Sequence, residues 1–172
     1  MLVDLRKFIR DVPDFPQAGI LFRDIAPLLE NGEAFQAALN KFHDLVKDEK
    51  IDKIVAIESR GFIFGAPLAQ RLGVGFAMAR KQGKLPGDKI AVSYDLEYGS
   101  NTIEMHSDSI TEGERVFIID DVLATGGTAN ATISLIEQLG GVVSGLAFLI
   151  ELTFLDGRKH LQGRAVHNLL EY

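Results

Sequence analysis

A chain of 172 residues with a hydrophobic share of 47% and a charged share of 24% has the composition of one ordinary globular domain with a sizeable core. Its formal net charge of -6 excludes a global basic field for nucleic acid, and the absence of cysteine excludes disulfides and thiolate metal sites. No apolar run is long enough to span a bilayer, and the opening MLVDLRKFIRDV carries acids and lacks the apolar core of a signal peptide. A cytoplasmic location is therefore expected, with neither membrane nor nucleic acid as a partner.

Leu2, Leu5, Phe8, Ile9 and Val12 recur at helical spacing and predict a short amphipathic helix. DFPQAGILFRDIAPLL, broken by Pro13 just before it and by Pro16, Gly19 and Pro27 within it, reads as an irregular, partly apolar loop. Phe35, Ala38, Leu39, Phe42, Leu45 and Val46 mark an amphipathic helix over Glu33 to Lys47. Lys53 to Glu58 is a short buried strand, Phe62 to Leu72 the helix packed after it and ended by Gly73, and Gly75 to Ala79 the next strand. Arg80 to Gly87 is a polar, basic loop rich in turn formers. Ile90 to Leu96 and Thr102 to His106 alternate as two strands around the Glu97-Tyr98-Gly99-Ser100 turn. Val116 to Ile119, a following helix, Val142 to Ile150 and Ala165 to Leu170 complete the pattern. Strands alternating with helices predict an α/β fold with a mostly parallel sheet flanked by helices, and the hairpin at an edge or projecting as a flap.

The chemistry concentrates in VFIIDDVLATGGTANATISLIEQLGG, Val116 to Gly141. Ligands of open parallel sheets bind at the carboxyl ends of strands, and Asp120 and Asp121 follow a buried strand there. The helix after them offers unpaired N–H groups and the positive end of its dipole. Gly126 and Gly127 let a phosphate approach the backbone, and Thr125 and Thr128 add hydroxyls, so Ala124 to Thr128 reads as a monophosphate cradle. The acids repel that phosphate and suit neutral hydroxyls instead, such as those of a ribose. A solvated strand-to-helix turn would carry similar residues. No lysine follows the glycines as in a triphosphate loop, and no G-x-G-x-x-G follows a strand.

The apolar strand, DD and ATGGT turn resemble the 5-phosphoribosyl 1-pyrophosphate (PRPP) motif of the type I phosphoribosyltransferases. Phe22-Arg23-Asp24-Ile25 with Pro27, Glu58-Ser59-Arg60-Gly61-Phe62, Arg80-Lys81 with Gly83-Lys84-Leu85-Pro86-Gly87, and Tyr94 with Leu96-Glu97-Tyr98-Gly99 occur in order. Together they resemble the adenine phosphoribosyltransferase branch over nearly the whole chain. That resemblance implies the type I fold as a single domain over 1–172, with a small N-terminal hood over about 1–30 and a flexible lid and flap over about 80–106. It implies transfer from PRPP to adenine, giving AMP and pyrophosphate, with Mg²⁺ carried by PRPP and no dedicated metal ligands. A homodimer is also implied, and Gly65, Ala66 and Ala69 would permit close packing.

The resemblance also distributes roles. Asp120 and Asp121 hold the ribose, and Ala124, Thr125, Gly126, Gly127 and Thr128 the 5′-phosphate. Ser59, Arg60, Arg80, Lys81 and Lys84 take the pyrophosphate, with a cis peptide expected at Ser59–Arg60. Phe22 stacks on the base while main-chain groups of Leu21 and Arg23 read its edge. Glu97 and Tyr98 lie in the flap, Glu97 on the purine N7 side. His43, His106, His160 and His167 lack metal-ligand spacing and are read as structural or solvated. Two alternatives stay open: an enzyme for another purine base, and a PRPP-sensing regulator.

Overall fold

In a computed structural model of the protein, which describes residues 3–95 and 99–172, the first elements differ from the helix expected there. A single 3-10 turn, Leu5–Phe8, leads into strand β1 (Arg10–Pro13), which pairs antiparallel with β2 (Leu21–Asp24). The helical spacing of the apolar residues arises from a turn followed by an extended strand. The stretch read as an irregular loop likewise contains β2 and a short helix, α1 (Ala26–Glu30), whose first N–H, Ala26, donates to Asp24 Oδ1 at 2.9 Å. Both elements are too short to impose a period on their residues.

Helix α2 (Gly32–Val46) starts at Asn31, whose side chain accepts from Ala34 N–H at 2.9 Å, and buries Ala34, Ala38, Leu39, Phe42 and Val46. Next come β3 (Lys53–Ile57), α3 (Gly61–Leu72) and β4 (Gly75–Lys81). Gly73 takes the left-handed conformation, φ 68°, that ends α3. The edge hairpin is β5 (Lys89–Asp95) and β6 (Ser100–His106). The remainder comprises β7 (Arg115–Leu123), α4 (Gly127–Gln138), β8 (Val142–Glu151), 3-10 turns at Thr153–Leu155 and Gly157–Leu161, and β9 (Val166–Glu171).

The seven-stranded sheet runs β5-β6-β4-β3-β7-β8-β9; β4, β3, β7, β8 and β9 are parallel, and the hairpin adds antiparallel at one edge, as expected. One face packs on α4 and the hairpin through Val116, Ile118, Ile133, Ile136 and Met105. The other packs on α2 and α3 through Phe42, Phe64, Leu68, Phe117 and Ile119. Gly65 and Ala69 are absorbed into this packing: a Cβ on Gly65 would lie 2.6 Å from that of Ala56. Of the three small residues expected to admit a partner, only Ala66 is exposed.

Two strands run further than the apolar pattern indicated. β4 continues through Arg80 and Lys81 because Glu104 and Ile103 of β6 pair with them. β7 continues through Asp120 and Asp121 to Leu123 because β8 supplies partners as far as Glu151. The acids therefore belong to the strand's carboxyl end, where ladder pairing fixes their backbone.

Candidate active site

The carboxyl ends of the neighbouring strands β3 and β7 open into a cavity of about 590 Å³. Its lining includes Leu21, Phe22 and Arg23 from the ribbon, Ser59 and Arg60 after β3, Lys81 from β4, Asp120 and Asp121 from β7, and Ala124 and Thr128 beyond it. Residues distant in sequence are thus gathered at the topological position where open sheets bind ligands.

Asp120 is partly exposed at the cavity floor, whereas Asp121 is 6% exposed. Asp120 Oδ1 accepts from the Asp121 N–H at 2.8 Å. Arg60 Nε approaches Asp121 Oδ2 at 2.5 Å as an ion pair, off the line that a hydrogen bond requires, so that oxygen keeps its acceptor capacity. Desolvation, and then the charge of Asp121, push the Asp120 carboxyl well above the usual carboxylate range, against the donation from the Asp121 amide. Such a raised acid costs the fold stability above its unfolded pKa, fully so once pH exceeds the folded value. Asp120→Asn should therefore raise the thermal midpoint at neutral pH, measured without substrate. The gain should shrink as pH falls through the folded pKa towards the ordinary carboxylate range. A gain independent of pH between neutral and acid scans would refute this account of Asp120.

Thr125, Gly126 and Gly127 line a smaller recess of about 70 Å³ that shares Asp120, Ala124 and Thr128 with the main cavity. Gly126, the N-cap of α4, has no side chain to cap it, which suits the first-turn N–H groups to donate to an anion. Both glycines also have structural reasons absent from the expected one. Gly126 has φ 85°, and a Cβ on it would lie 2.4 Å from the Gly157 carbonyl oxygen. A Cβ on Gly157 would in turn meet the Ala124 carbonyl oxygen at 2.2 Å, so the cradle and the loop after β8 pack backbone on backbone. Above Gly127, with ordinary φ, stands Tyr94 of the hairpin, whose ring would be 3.0 Å from an added Cβ. The Tyr94 and Thr128 hydroxyls share a hydrogen bond of 2.7 Å.

Glu58, at the end of β3, organises the basic segment. It accepts from Lys81 N–H at 2.9 Å and from Arg80 Nε at 3.2 Å. Burial alone would raise its carboxyl, but those two donors outweigh that and hold it below the usual carboxylate range. Arg80 Nη1 also donates to the Lys84 carbonyl at 3.0 Å, and Gly83 N–H to buried Glu104 at 3.0 Å. Lys81 reaches the cavity; Arg80 turns to Glu58, and Lys84 is exposed outside the lining. The cis peptide is Glu58–Ser59, one bond earlier than expected.

On the ribbon, Phe22 packs edge-on to Phe15 and lies under the Arg60 guanidinium, 5.2 Å from its ring centre. Pro13, opposite Leu21, has no N–H, so the Leu21 carbonyl takes no ladder hydrogen bond from β1. Glu97 and Tyr98 lie outside the described residues. Of the histidines, His106 bonds to the Pro86 carbonyl at 2.9 Å and His167 stacks on Phe117. The sequence reading gave no role to Glu58, Tyr94 or Gly157. Glu58 was open to the same strand-end reasoning that picked out the acids of β7, whereas Gly157 gave no local signal.

Residues 26–162 match the phosphoribosyl transferase domain family. The chain is 56% identical over 170 residues to the adenine phosphoribosyltransferase of Carboxydothermus hydrogenoformans, covering 99% of this chain and 100% of that one. It superposes on the crystal structure of adenine phosphoribosyltransferase from Thermoanaerobacter pseudethanolicus with a TM-score of 0.95, at 49% identity over 98% of both chains. For the Saccharomyces cerevisiae enzyme, solved with an imino-altritol bisphosphate and adenine, the TM-score is 0.90, at 42% identity over 96% of both chains.

Proposed function

The chain belongs to the adenine phosphoribosyltransferases, type I fold enzymes of purine salvage that make AMP and pyrophosphate from adenine and PRPP, and on that premise we propose which of its residues perform the transfer. The observation that carries the assignment is the cavity that joins the aromatic ribbon to the acid pair and shares Asp120, Ala124 and Thr128 with the recess of the phosphate cradle. We take residues 1–172 to act as one domain, with the ribbon as hood and the β5–β6 hairpin as flap.

Asp120 and Asp121 accept hydrogen bonds from the ribose 2′- and 3′-hydroxyls and favour the positive charge that grows on the ring as pyrophosphate leaves. The acceptor capacity left on Asp121 Oδ2 supports this role. Ala124 to Thr128 and the first turn of α4 hold the 5′-phosphate. Ser59, Lys81 and Arg60 face the leaving pyrophosphate; Arg60 gives up Asp121 to the ribose and turns to it. Arg80 and Lys84 add positive potential from the lid. Phe22 stacks on adenine while Leu21 and Arg23 main-chain groups meet its edge, so that N9 attacks the anomeric carbon opposite the leaving group.

Magnesium fits as a companion of PRPP. Among the described residues no three His, Cys, Asp or Glu side chains form a cage, while the paired acids are hard oxygen donors beside the sugar. When bound, the ion takes up charge on the leaving group. Association into a homodimer is part of this reading, with Ala66 on α3 exposed to admit a partner. A cytoplasmic location belongs to the same reading.

The reading is tested by base choice. Adenine presents a donor at C6 where hypoxanthine presents an acceptor, and a buried partner left unpaired costs about 1–3 kcal/mol, or roughly one to two decades in rate per contact. With PRPP and Mg²⁺, kcat/KM for adenine should exceed that for hypoxanthine, guanine and xanthine by at least that margin. Comparable values for adenine and hypoxanthine would overturn it.

A further inference from the structure

No residue from Arg6 to Asp24 is buried, although this segment carries the proposed base-reading residues. Leu5 and Ile25, 1% and 2% exposed, fix its flanks, and Phe8 and Ile9 pack partly buried against the core just before β1, but the ribbon itself, Arg10 to Asp24, places nothing there. Something else must hold β2 at a fixed height above the sheet, because a stacked base tolerates little drift of its platform.

The residue after β9, Tyr172, does this by its ring. Arg23 lies over the ring at 4.0 Å from its centre and Arg6 at 4.4 Å, each within the range of a cation–π contact. The main chain of Tyr172 is pinned to the sheet: its N–H donates to the Glu151 carbonyl at 3.0 Å, and its carbonyl accepts from Thr153 N–H and Oγ1, both at 2.9 Å. Glu151 ends β8, the strand beside the one that carries the acid pair. Arg6 Nη2 also donates to the Glu171 carbonyl at 2.8 Å. From the ribbon side, Arg23 forms an ion pair with Asp11, its register partner across the hairpin. The Arg23 side chain is thus held at one end by its own ribbon and at the other by an aromatic ring fixed to the sheet. The Arg23 main chain, on the same residue, faces the base.

We propose that Tyr172 is a positioning residue for the nucleobase: its ring, clasped by Arg23 and Arg6, sets the distance between the base-reading strand β2 and the acids at the end of β7. The inference rests on the assignment of Leu21 to Arg23 as the base site. It predicts an effect confined to adenine, since PRPP is held by the sheet and by α4.

The test is steady-state kinetics with adenine and PRPP varied separately, together with thermal unfolding, for Tyr172→Leu, Tyr172→Phe and Phe22→Ala. Tyr172→Leu keeps apolar bulk and removes the π face; it should raise the KM for adenine about tenfold and leave the KM for PRPP and kcat within about twofold. Tyr172→Phe retains the face and should match the parent enzyme. An unchanged adenine KM in Tyr172→Leu, where Phe22→Ala raises it, would overturn the positioning role and leave the base site standing. An unchanged adenine KM in Phe22→Ala would overturn the base-site assignment itself. Equal rises in both KM values for Tyr172→Leu, or a Phe variant as impaired as Leu, would also overturn the proposal.

Discussion

Replacing both acids, Asp120→Asn with Asp121→Asn, is expected to lower kcat by roughly two to three orders of magnitude, the scale set by removing a single preorganised electrostatic partner of a transition state. In the proposed roles the two carboxylates would meet the sugar whether or not reaction occurs, with their charge mattering most when the anomeric carbon becomes cationic. The loss should therefore fall on kcat more than on the KM for PRPP. Pyrophosphate binding, assigned to Ser59, Lys81 and Arg60, should survive. Because burial and the charge of Asp121 disfavour the ionised form of Asp120, its replacement should leave a slower but no less stable protein. Single-turnover rates and pyrophosphate calorimetry on the double variant measure both halves. A kcat within tenfold of the parent would remove the acids from the mechanism.

Gly126→Ala should be the most damaging single-methyl change in the site. Its φ of 85° disfavours any side chain, and the new Cβ would stand 2.4 Å from the Gly157 carbonyl oxygen, a backbone atom that cannot rotate away. Backbone strain of about 1–3 kcal/mol and overpacking of about 1–3 kcal/mol add, which for a domain of this size lowers the thermal midpoint by roughly 10 °C. Displacing the cradle by about 1 Å should also weaken PRPP binding by about two decades. Gly127→Ala is the comparison. There the obstacle is the Tyr94 ring on an edge hairpin, 3.0 Å away, and the ring can shift. Calorimetry with PRPP and thermal scans of the two variants decide; a milder effect at Gly126 than at Gly127 would refute the loop-on-loop account.

The parallel core was legible because its residues report their environment locally. The buried strands β3, β7 and β8 are near-continuous apolar runs, α2 shows its face, and Gly73 marks a helix end. Where a partner strand overrides composition, the reading stopped early: Arg80, Lys81, Asp120 and Asp121 look like loop residues and are strand residues because β6 and β8 extend beside them. The ribbon failed for a different reason. Four-residue strands beside prolines carry too few side chains to establish a period. The acid pair and the cradle were visible because a strand and the following helix are contiguous. The packing of Gly126 on Gly157, and of Arg23 on Tyr172, joins distant parts of the chain and leaves no trace in any short window.

The unburied ribbon has a further consequence for how this protein can change. Substitutions on solvent-facing residues away from caps and ion pairs shift stability by only about 0.5 kcal/mol, whereas those in the sheet's core draw on the narrow margin that keeps a domain folded. Apart from Arg23 and Asp24, which hold ion pairs and the start of α1, a segment proposed to read the base that buries no residue can therefore accumulate variation that the buried strands cannot. Selectivity for the nucleobase is, in this architecture, a trait open to drift and to laboratory evolution at little risk of losing the fold. The paired acids of β7, hemmed in by β3, β8 and the start of α3 at Gly61, are not.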